Sequence, residues 1–304
     1  MRSLAVLLSV LGLCTVWTFA GAGADPVADF VHGRDGSVAP PGANDWQCLP
    51  SAARPVPVVL VHGTWGNQNS WDVLAPKLKA TGHCVFALNF GRDTSSMYGA
   101  QPGVYGTGDI RASARELAGF LDRVREATGA GQVDIVAHSQ GGLVARQYMR
   151  FDGGADPTAP ERNTVRRLIT VGATNHGTTL SNLGYLLPTG SAAGPGEVAV
   201  ARVLGPAAAQ QVVGSEFLRA LNAGGDTEPG VHYTVIASRV DEITTPPETT
   251  FLRAGPGSAV DNVWVQNVCA GDTFGHAKLP TSPTVIHIVQ RALDPAHTAS
   301  RCPS

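Results

Sequence analysis

The sequence predicts an α/β fold with a mostly parallel central sheet and helices on both faces. Two observations carry this. Short, solid runs of apolar residues recur along the chain, and segments with helical spacing separate them. Strands buried on both faces read as unbroken apolar runs, and helical crossovers are what parallel neighbours require.

Taken in order, Pro55 to His62 is the first such run, closed by Gly63. Trp71 to Lys79 has helical spacing and stops at Gly82. Cys84 to Phe90 reads as a second buried strand. Asp109 to Thr128 is the clearest helix, with Leu117, Phe120, Leu121 and Val124 on one face and Gly129 at its end. Val133 to Ala137 is a third strand, followed at once by a helix from Gly141 to Arg150. Leu168 to Val171, Tyr233 to Ala237 and Val263 to Val268 supply three more strands, and Thr284 to Leu293 a last helix. Residues 25–54 are polar, contain Pro and Gly, and are expected to wrap the surface. Residues 177–210 are irregular, with an apolar cluster at Leu180, Leu183, Tyr185, Leu186 and Leu187. Such an insertion suits either a wall for an acyl chain or an ordinary surface excursion.

The chain of 304 residues is long enough for one large domain, and residues 25–304 are expected to form it. The formal net charge of −2 gives no electrostatic basis for a nucleic-acid partner or a polybasic membrane anchor. The first 24 residues read as a cleaved export signal. Arg2 precedes an apolar stretch from Leu4 to Ala20, and Ala22-Gly23-Ala24 provides the small residues of a cleavage site. Four cysteines then remain, Cys48, Cys84, Cys269 and Cys302. An even count in an exported chain suggests two disulfides with three possible connectivities. Cys48 lies before the first core strand and Cys84 opens the next, whereas Cys269 and Cys302 both fall late. Cys48–Cys84 and Cys269–Cys302 are therefore the expected pairs. Their spacing does not resemble a zinc site, and no metal is expected.

Ala137-His138-Ser139-Gln140-Gly141 sits where the third strand turns into a helix. A serine hydroxyl is a weak nucleophile unless a base takes its proton and donors stabilise the oxyanion. A sharp strand-to-helix turn lifts the serine above the sheet and aims the helix N-terminus at developing negative charge. The turn is crowded, so small residues are needed two before and two after the serine. Ala137 and Gly141 meet that demand. Ser139 is the expected nucleophile, with oxyanion donors in the backbone N–H groups of Gln140 and of Thr64, the latter in the loop His62-Gly63-Thr64-Trp65-Gly66 after the first strand. The base and acid should follow in the order Ser, Asp, His. Of the nine histidines, His276 lies in a loop between the last strand and the last helix, at the sheet edge that also carries Ser139. His138 adjoins the serine, where neighbouring side chains diverge, His287 falls within a helix, and His297 in the tail. Asp241 follows a strand at the same edge and is the expected acid, with Glu242 and Asp272 as alternatives.

These segments, together with Gly172-Ala173-Thr174-Asn175-His176-Gly177-Thr178, resemble those of secreted bacterial class 2 lipases of the α/β-hydrolase superfamily. The likeness runs over roughly residues 45–302. It implies triacylglycerol lipase or carboxylesterase activity, with Ser139, Asp241 and His276 at the family's triad positions. The expected working form is a secreted monomer acting on lipid or other small esters. Its contact with lipid–water interfaces would be transient, without stable insertion in a membrane, and the chemistry calls for no cofactor. Two rivals share the fold: an extracellular acyltransferase using the same triad, and a surface-binding protein without activity.

Overall fold

The structure is a computed structural model that describes residues 34–179 and 195–298 together with Cys302. The leader expected over residues 1–24 and the apolar cluster of Leu180 to Leu187 lie outside the described residues.

Among the described residues, six strands form one sheet: β1 (Val58–Val61), β2 (Val85–Leu88), β3 (Val133–His138), β4 (Val165–Val171), β5 (His232–Ala237) and β6 (Ala259–Trp264). Their spatial order is β2-β1-β3-β4-β5-β6, and every neighbouring pair is parallel. The α/β sheet expected as mostly parallel is thus wholly parallel among the described residues. β1, β2 and β3 are buried throughout, as solid apolar runs require. Alternation along β1 divides the core. Val59 and Val61 face a cluster built from α2 (Ile110–Thr128), α3 (Gln140–Phe151) and α6 (Glu216–Asn222). Val58 and Leu60 face one built from Trp71, α1 (Leu74–Ala80) and α8 (Pro283–Leu293).

The helix ends follow from local chemistry. The Asp109 carboxylate accepts from the Ala112 N–H at 2.9 Å and caps α2, and Gly129 ends it at φ +67°. The helix expected over Trp71 to Lys79 starts later. Asn67 accepts from the Asn69 N–H at 2.8 Å and fixes a short 3₁₀ turn, Gln68–Trp71, before α1 begins at Leu74. The strand expected over Val263 to Val268 is a correction. β6 lies earlier, and Val265–Val268 forms a helical turn, α7. The segment 195–210, expected to be irregular, contains α4 (Pro195–Leu204) and α5 (Pro206–Gln210). Residues 34–54 run along the surface and dock through side chains. Asn44 bonds the main chain of Ala87 in both directions, at 2.8 and 2.9 Å.

Cys48 and Cys84 stand at disulfide distance, their Cα atoms 5.7 Å apart, and so do Cys269 and Cys302, at 5.0 Å. Both pairs have the connectivity the sequence favours.

The strand order reverses direction between β1 and β3. Successive chain segments leave the sheet to opposite sides there and open a crevice at the strands' C-terminal ends. The loops after β1, β3, β4 and β5 all reach this edge.

Candidate active site

Ser139 follows the last residue of β3 and precedes the first residue of α3, at φ +52° and ψ −127°. Few L-residues adopt positive φ, and a non-glycine residue held there stores strain that its surroundings must sustain. Those surroundings are tight. A Cβ at Gly141 would stand 2.6 Å from the carbonyl oxygens of Val61 and His62. A Cβ at Gly63 would stand 2.8 Å from Ser139 Cβ. The small residues seen in the sequence are therefore what lets β1, its loop and the elbow approach one another.

The elbow brings three expected residues into one line. Ser139 Oγ lies 2.9 Å from His276 Nε2, and His276 Nδ1 lies 2.7 Å from Asp241 Oδ2. The His276 and Asp241 side chains are essentially inaccessible to solvent. Asp241 comes from the loop after β5. Its other oxygen accepts from the N–H groups of Ile243 and Thr244 at 2.9 and 2.7 Å, which fixes the carboxylate's orientation. A hydroxyl, an imidazole and a carboxylate in this order can move a proton off the hydroxyl and hold the resulting imidazolium. Gly172, just after β4, supplies the room. A Cβ there would stand 3.0 Å from Asp241 Oδ2 and 3.3 Å from His276 Nδ1.

The two alternative acids are elsewhere. Glu242 Oε2 accepts from the backbone N–H of His276 at 3.0 Å. Asp272 accepts from the Ser282 hydroxyl at 2.6 Å and from the Phe274 N–H at 3.1 Å, so it serves the start of α8. His138 also reaches the loop that carries His276. It is buried, and its Nε2 lies 3.0 Å from the His276 carbonyl oxygen. Neighbouring residues on an elbow do point apart, but the loop carrying His276 folds over both of them. No local pattern in the sequence announces that contact.

Thr64 and Gln140 flank the serine. Gln140 opens α3, so its N–H is among the first-turn amides that a helix leaves without an internal partner. Thr64 lines the same small cavity as Ser139 and His276. Its hydroxyl accepts from Gln211 Nε2 at 2.8 Å, and Gln211 in turn accepts from Thr174 at 2.9 Å. His62 braces this loop. Its Nε2 accepts from the Phe90 N–H at 3.4 Å, which leaves Nδ1 to donate to the Gly63 carbonyl at 2.8 Å. Trp65, Ala208, Gln211 and Ile243 also line the cavity. The Trp65 indole donates to the Leu204 carbonyl at 2.9 Å, joining the loop after β1 to the end of α4.

The segment after β4 forms a polar buttress beside the site. Buried Arg146 donates to the carbonyls of Asn175 and Asp226 and to Asn222 Oδ1, at 3.2, 3.1 and 2.7 Å. Burial lowers its pKa to about 10, which leaves it charged at neutral pH. His176 lies with Nε2 3.0 Å from Asp226 Oδ1 and Nδ1 3.1 Å from the Thr249 carbonyl. Burial pushes Asp226 upward. The His176 bond, the Arg253 N–H and the nearby charges outweigh that and hold it at about 2.

Similarity to known proteins agrees with this architecture. Triacylglycerol lipases of Pseudarthrobacter phenanthrenivorans and Burkholderia plantarii are each 32% identical over 101 residues, 31% of this chain. The matched stretch spans 28% and 25% of those proteins, so the chain spans about a quarter of the curated relatives' length. Among solved structures, Aspergillus fumigatus lipase B superposes with a TM-score of 0.61 at 20% identity, covering 84% of this chain and 55% of that one. Mature Bacillus licheniformis lipase BlEst2 gives 0.53 at 18% identity, covering 80% and 94%. At such identities the likeness is one of fold, and that fold is the α/β hydrolase. The model of the family Lipase (class 2) matches residues 55–267, from the approach to β1 through α7, and the chain belongs to that family.

Proposed function

We propose that the protein is a secreted serine hydrolase that cleaves carboxylic esters, acylglycerols or related lipid esters, through an acyl-enzyme. The 2.9 Å approach of Ser139 Oγ to His276 Nε2 carries the proposal. It places a base within proton-transfer reach of a hydroxyl that the elbow holds at the crevice. In the first step His276 takes the Ser139 proton while Oγ attacks the ester carbonyl. The N–H groups of Thr64 and Gln140 receive the oxyanion, each donor contributing about 3–4 kcal/mol of transition-state stabilisation. His276 then protonates the departing alcohol. Water attacks the acyl-enzyme by the same route, the acid leaves, and Ser139 recovers its proton. Asp241 holds the imidazole tautomer and the imidazolium throughout. Two cysteine pairs at disulfide distance support an oxidising, extracellular setting. The protein would work there as a monomer touching lipid–water interfaces transiently.

The test is labelling by a fluorophosphonate, with acid release measured from p-nitrophenyl esters and an emulsified triglyceride. The wild type should label at Ser139 and release acid. Ser139→Ala should lose the label and at least about 10⁴-fold of the rate while keeping its melting temperature. Hydrolysis that survives the substitution would overturn the proposal, and acyl exchange without acid release would make the protein a transferase.

A further inference from the structure

His276 sits on a loop, at the start of the 3₁₀ turn His276–Thr281, and not on a strand. A loop residue can meet a serine at 2.9 Å only if its main chain is fixed as firmly as its ring. The ring is held by Asp241. The main chain is held from both sides: its N–H donates to Glu242 Oε2 at 3.0 Å, and its carbonyl accepts from His138 Nε2 at 3.0 Å. A carbonyl can only accept, so His138 Nε2 carries a proton. The four holding residues form two adjacent pairs. In His138-Ser139 one side chain meets the main chain of His276 and the other its ring, and Asp241-Glu242 repeats the arrangement.

We infer that His138 and Glu242 are positioning residues that clamp the main chain of His276 and so set its imidazole between Ser139 and Asp241. The inference rests on the ester-hydrolase reading above. Both contacts are built into the packing. A Cβ at Gly275 would stand 2.7 Å from Glu242 Oε2, and one at Gly63 would stand 3.1 Å from His138 Nδ1. A side chain at either position would crowd the clamp. The His138 and His276 rings lie 4.9 Å apart, so His138 also walls one side of the imidazole. A charge-assisted bond from a carboxylate to an amide and an imidazole–carbonyl bond are directional, and each is lost when its side chain is truncated. A misplacement of about 1 Å in a reacting group costs on the order of 10²-fold in rate. Loss of one clamp arm should therefore appear in kcat and leave KM nearly alone.

The test uses two pairs of variants assayed beside the wild type and Ser139→Ala. His138→Phe keeps the ring's bulk and removes the donor. His138→Gln returns an N–H at similar reach. Glu242→Ala removes the acceptor, and Glu242→Gln restores a carbonyl oxygen. The truncating members should lose about 10- to 100-fold in kcat, with KM within about twofold and the phosphonate labelling rate falling in parallel. The restoring members should recover most of that loss. If His138→Phe does not fold, the exposed Glu242 pair carries the test alone. Equal kcat within each pair, or a loss confined to KM, overturns the clamp. Absence of hydrolysis and labelling in the wild type instead overturns the reading beneath it.

Discussion

Ser139, Asp241 and Glu242 show what a single side chain contributes here and how it can be told from its neighbour. Asp241 meets the ring of His276 and Glu242 meets its main chain, so amide substitutions should separate them. Asp241→Asn can donate an amide N–H to Nδ1, which favours the tautomer with its proton on Nε2 facing Ser139, and should cost about 10⁴-fold in kcat. Glu242→Gln keeps an acceptor for the amide and should cost less than about tenfold. Asp272→Ala should lower the melting temperature and leave the rate almost unchanged, because its oxygens serve Ser282 and Phe274. Steady-state kinetics with thermal melts on the three variants check the assignment. A larger rate loss from Glu242→Gln than from Asp241→Asn would reverse it. At this scale the sequence was informative wherever chemistry is local. The small residues around Ser139, and the order of serine, aspartate and histidine, are readable from the string. The contact of His138 with His276 is not. It joins residues far apart in the chain through a loop whose path depends on everything beneath it.

The elements were legible where burial is two-sided. β1 and β2 are apolar along their whole length, and β3 is so apart from Asp134 and His138, because helices cover both faces. β6 failed for the same reason in reverse. It is an edge strand whose residues, among them Asp261 and Asn262, are largely exposed, so no apolar run marks it. The apolar run beside it, Val263 to Val268, drew the expectation forward onto the turn of α7. Short apolar segments carry too little periodicity to separate strand from helix. The buttress that joins the loops after β4 and β5 is likewise a tertiary product, and it gives a pH prediction. The folded protein holds Asp226 at about 2, below the value near 3.9 of an unfolded aspartate. Its contribution to stability is therefore present above about pH 4 and is lost as pH falls through about 2. Asp226→Asn should be less stable than the wild type by roughly 2 kcal/mol at pH 7, and the gap should close between about pH 4 and pH 2. Urea unfolding across that range measures it. A gap that does not change with pH would show that the amide's loss is steric.

For the molecule as a whole, the two cysteine pairs enclose the chain near both ends of the sheet's sequence. Their sequence separations of 36 and 33 residues give roughly 3–4 kcal/mol each in the loop-entropy model. Reductant should therefore lower the melting temperature markedly, and Cys48→Ser with Cys84→Ser should reproduce about half of the fall. A melting temperature indifferent to reductant would remove the disulfides from the account. The architecture was legible at this scale because alternating apolar runs and helices call for a parallel sheet covered on both faces. The lining of the site was not, since Trp65, Ala208 and Ile243 reach it from three separate segments. The backbone at Ser139 has a corollary for stability. At φ +52° and ψ −127° glycine is the residue the backbone opposes least, so the hydroxyl is held there at a cost in folding free energy, and Ser139→Gly should melt above Ser139→Ala.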